Sequence, residues 1–189
     1  MDIYLASTSP RRRQLMSEIL TDFIQCSPET QEKEYPRLTP VQKAVRRCKD
    51  KCIAAVNHIK DYESVIIASD TVVDFHGRTL DKPVDRDDAF RMISDLSGNF
   101  HYVHTAVSVY YEGSVFTFCD TTEVHFRHIP QDVISEYVKE NTAYDKRGGY
   151  GIQTEFGQKY IDRIEGDYYT VVGLPVERLK KLLIFLNIL

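Results

Sequence analysis

Val65-Ile66-Ile67-Ala68-Ser69-Asp70-Thr71-Val72-Val73 is an almost continuous apolar run interrupted by one carboxylate between two hydroxyls. Residues 65–68 read as an apolar, buried strand. The strand is expected to stop at Ser69-Asp70-Thr71, with the β pattern resuming over 71–75. Amphipathic helical patterns flank it along the chain. Upstream, 41–59 reads as a long helix, and 86–96 reads as another that ends near Ser97-Gly98. Such alternation favours an α/β or α+β domain over a bundle or sandwich.

Further out, residues 3–6 read as a strand leading into a helix. Ser9 suits its N-cap and Pro10 its first position, with Leu15, Met16, Ile19 and Leu20 on one face. A second short strand is expected over 22–26, and the acidic, proline-punctuated stretch 28–39 is a loop. Residues 103–111 and 115–126 form an antiparallel pair turning at Glu112-Gly113. Pro130 opens a helix with Val133, Ile134, Tyr137 and Val138 inward. Gly148-Gly149-Tyr150-Gly151 is a turn before a further strand region, and Pro175 starts the last helix. The apolar run Leu182-Leu183-Ile184-Phe185-Leu186 belongs to the core or to a contact between two copies of the chain, with the core favoured.

The 189 residues suit one domain, 1–189, without repeat or linker. A net charge of -4 gives no global attraction to nucleic acid or an acidic membrane, so phosphate binding requires a local basic cluster or a bridging cation. The N-terminal residues lack a secretory pattern, and no apolar run is long enough to span a bilayer. Cys26, Cys48, Cys52 and Cys119 show no CxxC spacing and read as reduced thiols of a cytoplasmic protein rather than zinc ligands.

Three places invite chemistry. The loop Ser7-Thr8-Ser9-Pro10-Arg11-Arg12-Arg13 joins a strand to a helix N-terminus, where free N–H groups, hydroxyls and guanidinium forks suit phosphate. A capped helix with solvated arginines has the same sequence. Lys49 shares a helical face with Val45, Cys52, Ile53 and Val56 on the helical wheel, so it either reaches to the edge of the stripe or meets a ligand. Asp70 suits a metal ligand or a base for water, or else a turn carboxylate accepting backbone hydrogen bonds. Lys82-Pro83 lies in a turn, where a lysine can face a phosphate or only solvent. His125 and His128 fall on opposite faces of a strand and read as surface residues.

Together these segments resemble the Maf family (septum formation protein, nucleoside triphosphate pyrophosphatase) over nearly the whole chain. The resemblance rests on Leu5-Ala6-Ser7-Thr8-Ser9-Pro10-Arg11-Arg12, Ser69-Asp70-Thr71-Val72-Val73 and Leu80-Asp81-Lys82-Pro83. It continues in Leu96-Ser97-Gly98, Val103-His104-Thr105-Ala106-Val107 and Tyr150-Gly151-Ile152-Gln153. Ile164-Glu165-Gly166-Asp167-Tyr168-Tyr169 through Val172-Gly173-Leu174-Pro175 completes it. It implies an α/β fold of Maf/ITPase-like type, with a mixed sheet flanked by helices and two lobes around a central cleft. It also implies a homodimer and divalent-metal-dependent hydrolysis between the α- and β-phosphates, with Mg²⁺ or Mn²⁺ as the ion.

By this resemblance Asp70 activates water or holds the metal, and Ser7, Ser9, Arg11, Arg12, Lys49 and Lys82 bind substrate. Glu32 is the second metal-site acid by spacing, with Glu29 and Glu34 as neighbouring alternatives. The branch acting on 7-methyl-GTP carries Trp, Gln and a different motif at the positions of Arg11, Thr71 and Gln153. The chain is therefore similar to the branch acting on dTTP and UTP. A modified purine triphosphate, or a binding protein without turnover, are the competing expectations. Departures from the family pattern are Asp50 after the helix lysine, Arg147 before the glycine turn, and a longer Thr154-Glu155-Phe156-Gly157 run.

Overall fold

The computed structural model describes residues 1–27, 35–140 and 143–189. Its centre is β3 (Val65–Phe75), lying between β1 (Ile3–Ala6) and β5 (Phe100–Tyr111). β1 pairs with it in parallel from Ile3↔Val65 to Ala6↔Ala68, and β5 in antiparallel from Ile66↔Tyr110 to Asp74↔Tyr102. Beyond β1 lies β2 (Ile24–Cys26), and beyond β5 lie β6 (Ser114–Phe126) and β7 (Ile161–Glu165). β4 (Arg78–Leu80) adds to β3 through Val73↔Leu80. The described residues thus form a mixed seven-stranded sheet.

Helices cover both faces. α2 (Pro40–Ile59) lies on the side of Ile66, Ala68 and Ala106. α1 (Pro10–Ser17), α6 (Tyr168–Val172) and α7 (Val176–Phe185) enclose Leu5, Val65, Ile67 and Val107 on the other. Residues 65–68 are fully buried because successive side chains enter these two different cores. α3 (Arg86–Leu96), α4 (Gln131–Tyr137) and α5 (Glu155–Tyr160) build a separate cluster around Ile93, Phe126 and Tyr137. Two lobes result, joined by the long strands β3, β5 and β6.

Most sequence expectations for these elements hold, with Ser9 capping α1 through Arg12 N and Thr39 and Gln42 forming a capping box on α2. The β5–β6 hairpin turns on Glu112 and Gly113, at φ 47° and 77°, the paired left-handed residues of a tight turn. Several expectations need correction. β3 does not stop at Asp70: its pairing with β5 runs unbroken across Ser69, Asp70 and Thr71, so the carboxylate lies inside the strand. Residues 155–160 are helical before β7 begins, and α6 adds another turn that the strand expectation omitted. At the C-terminus Leu183 and Leu186 are core, whereas Ile184 and Phe185 are exposed.

The sheet pattern also explains the cleft. β1 ends opposite Ala68, while the antiparallel β4 ends opposite Val73. Residues 69–72 therefore have a strand neighbour on the β5 side alone. The opening on the other edge lies at the carboxyl ends of parallel strands, where α/β sheets admit ligands.

Candidate active site

Into this opening project the loop after β1, the N-terminus of α1, and the glycine turn of the other lobe. The resulting cleft has a volume of about 830 Å³, a size that accepts a small organic ligand. It brings together Ser7, Ser9, Arg11, Arg12, Asp70, Thr71, Lys82 and Gln153, eight residues drawn from four separated segments.

Ser7 sits where β1 turns away, its N–H donating to Leu5 O at 2.9 Å and its Oγ accepting from Ser9 N at 3.2 Å. Gln25 braces the same loop by donating to Ser7 O at 2.6 Å. Arg12 points back across the floor. Its Nε donates to Gly173 O at 2.9 Å and its Nη2 to Thr71 Oγ1 at 3.0 Å. Burial pulls this guanidinium below its ordinary value, while the charge of Asp70 acts in the opposite direction. Thr71 in turn lies 2.9 Å from Thr105 Oγ1, which donates to Thr170 O at 2.7 Å. Arg11 meets Asp145 across the mouth of the cleft at 3.9 Å, a pair exposed enough to be weak.

Asp70 is the charged centre. Its side chain is 1% exposed, and Lys51 Nζ lies 2.5 Å from Oδ1. Arg147 Nη2 is 3.8 Å from the same oxygen. Oδ2 is buried without a hydrogen-bond partner among the described residues. A buried, unsatisfied carboxylate oxygen is costly unless something binds it. A hard divalent cation fits that oxygen, since Mg²⁺ and Mn²⁺ take carboxylate and phosphate oxygens. Glu29, Glu32 and Glu34 lie outside the described residues.

Lys49 is exposed and does not line the cleft. The buried stripe of α2 is Ala44, Arg47, Cys48, Cys52, Ala55 and Val56, and Lys51 lies on it. Val45 and Ile53 do not mark the buried face, because those larger residues are only partly covered: Ile53 is 49% exposed. The small residues on the true face carry a weak hydropathy signal, but their spacing of three and four identifies it. Asp50 correspondingly turns outward to pair with Arg46 at 3.2 Å and Tyr35.

Two contributors went unassigned at the sequence level. Arg147 was visible only as a departure from the family pattern. Its Nη1 pairs with Asp81, and Asp81 Oδ1 also accepts from the buried Arg47 at 3.1 Å. Tyr150 lines the cleft wall and is locked by His101, whose Nε2 is 2.5 Å from the phenol oxygen. Burial lowers His101 to about 3, so its ring is neutral, and burial raises Tyr150. The four cysteines are free, and burial pushes Cys48 and Cys52 up to about 12, which makes them inert packing thiols.

His125 is more enclosed than a surface reading implies: its Nε2 is 2.6 Å from Glu123 and 3.6 Å from Glu165. These three residues bring ligand atoms within 4.8 Å of one another, but none of them lines the cleft. His128 lies beyond the end of β6 and is exposed. No helix among the described residues is long and apolar enough to cross a membrane.

A family sequence model described as "Maf-like protein" matches residues 2–185. A dTTP/UTP pyrophosphatase of Aquifex aeolicus is 38% identical over 189 residues, covering 100% of this chain and 97% of the relative. One from Carboxydothermus hydrogenoformans is 40% identical over 181 residues, covering 95% of each. One from Vibrio cholerae is 39% identical and covers 96% of each. Among solved structures, the Staphylococcus aureus Ham1 protein superposes with a TM-score of 0.55 at 12% identity, covering 97% of this chain and 98% of that one. That likeness concerns the fold alone.

Proposed function

The chain belongs to the Maf family, and from that premise we propose that it is a metal-dependent nucleoside triphosphate pyrophosphatase acting on dTTP, UTP and related pyrimidine nucleotides. The observation that carries the proposal is Asp70: a carboxylate 1% exposed, with one oxygen unsatisfied, in a cleft rimmed by arginine and lysine. The relatives named dTTP/UTP pyrophosphatase support the choice of substrate.

In this reading the triphosphate enters along the loop of Ser7 and Ser9, where the α1 N-terminus and Arg11 favour an anion. Arg12 and Lys82 hold the phosphates, and Lys51 takes the place expected of Lys49. Asp70 positions water against the α-phosphorus and accepts its proton as the new P–O bond forms. The bond from the α-phosphorus to the oxygen bridging to the β-phosphate breaks, and its electron pair leaves with pyrophosphate. Asp70 and Glu32 would hold Mg²⁺ or Mn²⁺, which would supply charge neutralisation for the phosphate oxygens. Gln153, exposed at the mouth, offers an amide that both donates and accepts, suited to a pyrimidine edge. The span 1–189 works as one unit, as a cytoplasmic homodimer without nucleic acid or membrane partners.

The test is incubation of the protein and its Asp70→Asn variant with common and modified triphosphates and Mg²⁺ or Mn²⁺, resolving pyrophosphate from single phosphate. The expected result is monophosphate plus pyrophosphate from dTTP or UTP, absent in a folded variant. Turnover confined to purines overturns the substrate assignment. No turnover by the folded protein overturns the enzyme assignment in favour of a binding protein.

A further inference from the structure

Arg147 belongs to the glycine turn, a segment that the topology brings against Asp70 from the opposite lobe. The turn is fastened there: Gly148 N donates to Asp81 O at 3.1 Å, and Arg147 Nη1 pairs with the Asp81 carboxylate. Asp81 is itself held by Arg47, which is 3% exposed and rooted in α2. Anchored at Nη1, the guanidinium directs Nη2 to within 3.8 Å of Asp70 Oδ1. That separation is too long for a hydrogen bond, so Nη2 stands beside Asp70, close enough to donate to a phosphate oxygen that lies next to a water held by the carboxylate. The side chain is 14% exposed and lines the cleft.

We propose that Arg147 is a catalytic residue that donates to a non-bridging oxygen of the α-phosphate. The inference rests on the pyrophosphatase reading above and deepens it. The choice of phosphate follows from direction. If Asp70 holds the attacking water, the departing pyrophosphate lies on the far side of the α-phosphorus, because attack and departure are in line. A cation beside Asp70 is then next to the equatorial oxygens, not the leaving oxygen. Charge spreads over those oxygens in the transition state, and a fixed guanidinium acts where it gathers. Asp81 is the positioning residue that makes Arg147 rigid, as a supporting carboxylate does for other site cations. Arginine serves here because one arm can stay on Asp81 while the other reaches the ligand, which a lysine ammonium reproduces poorly.

The experiment uses the full chain with Arg147→Ala and Arg147→Lys, each checked for cooperative thermal unfolding. Turnover is measured with dTTP and with the two α-phosphorothioate diastereomers, and binding of the nucleoside monophosphate is measured separately. Loss of a charged hydrogen bond predicts that Arg147→Ala lowers kcat by about tenfold to a hundredfold, with a smaller change in KM. The rate ratio of the two diastereomers shifts at least about fivefold, since only one of them keeps oxygen at the contacted position. Monophosphate binding weakens by about tenfold, and Arg147→Lys recovers part of each loss.

A kcat within twofold of wild type overturns the proposal, as does an equal loss on both diastereomers, which marks a merely structural role. Monophosphate binding that is unchanged in the variant, or absent in the wild type, also overturns it. If the wild type binds monophosphate through Arg147 yet releases no pyrophosphate from any triphosphate, the enzyme reading fails and this binding contact stands.

Discussion

Gly157→Ala tests how closely the turn carrying Gln153 is fitted to the helix behind it. Gly157 lies in the first turn of α5, and a Cβ there would fall well inside contact distance of Gly151 O, and 3.0 Å from Gly151 C and Ile152 Cα. All three are backbone atoms, so no rotamer change relieves the clash. The turn is also pinned in place, since Thr154 donates to Gly151 O from its N at 3.1 Å and from its Oγ1 at 2.7 Å. Two effects oppose each other. Alanine favours a helical position over glycine by about 1 kcal/mol. Overpacking costs about 1–3 kcal/mol, and rigid backbone neighbours place this site at the upper end. The net is a destabilisation of about 2 kcal/mol, or a fall in Tm of roughly 4–8 °C for a chain of this size. Relief of the clash displaces the turn by about 1 Å, and a misplacement of that size near a reacting centre costs about a hundredfold in rate. Thermal unfolding and kcat/KM for dTTP read the two consequences separately. A variant with unchanged or raised Tm and wild-type kcat/KM refutes the reasoning, both for the close approach and for the role of the turn.

Lys51→Met is expected to lower kcat/KM at least tenfold, having removed the nearest cation to Asp70, whereas Lys49→Met leaves activity unchanged and stability within about 0.5 kcal/mol. Steady-state kinetics on the pair decides it: a larger loss at Lys49 reverses the face assignment of α2. Chelation of divalent ions is expected to stop turnover without unfolding the chain, with Mg²⁺ or Mn²⁺ restoring it; full activity in chelator refutes the metal requirement. Burial lowers His101 from 6.5 to about 3, so between those pH values the unfolded chain binds a proton that the folded chain does not. Its contribution is present above pH 6.5 and declines as pH falls, by about 1.4 kcal/mol per unit. Denaturant titrations of wild type and His101→Asn from pH 7 to 5 should therefore converge as pH drops, and parallel curves contradict a neutral buried ring.

How much of this was legible in the sequence depended on where each residue finds its partners. Ser9 and Pro10 announce α1 because a cap and a first-turn proline act on their own neighbours. The hairpin at Glu112-Gly113 is equally local. α5 and α6 escaped because helices of six and five residues are too short to display a full hydrophobic period. Asp70 stands out against its apolar run, but its place inside the strand is not visible there. Three polar residues in an apolar run look like a strand end until a distant partner is known, and β5 begins thirty residues later.

The same distinction separates the site residues. Ser7, Arg12 and Asp70 stand out against their local pattern, whereas Lys51 is one cation among several on a charged helix. What selects Lys51 over Lys49 is the stripe Ala44, Cys48, Cys52 and Ala55, small enough for α2 to lie close on β3. Close approach turns the next residue on that stripe towards Asp70, so the packing of small side chains determines which lysine reaches the carboxylate. Arg147 depends on three separate segments, with Arg47 holding Asp81, Asp81 holding Arg147, and Arg147 facing Asp70. No window of sequence contains that chain of contacts. Its members acquire a common role only when the glycine turn meets the edge of β3 left open between its pairings with β1 and β4.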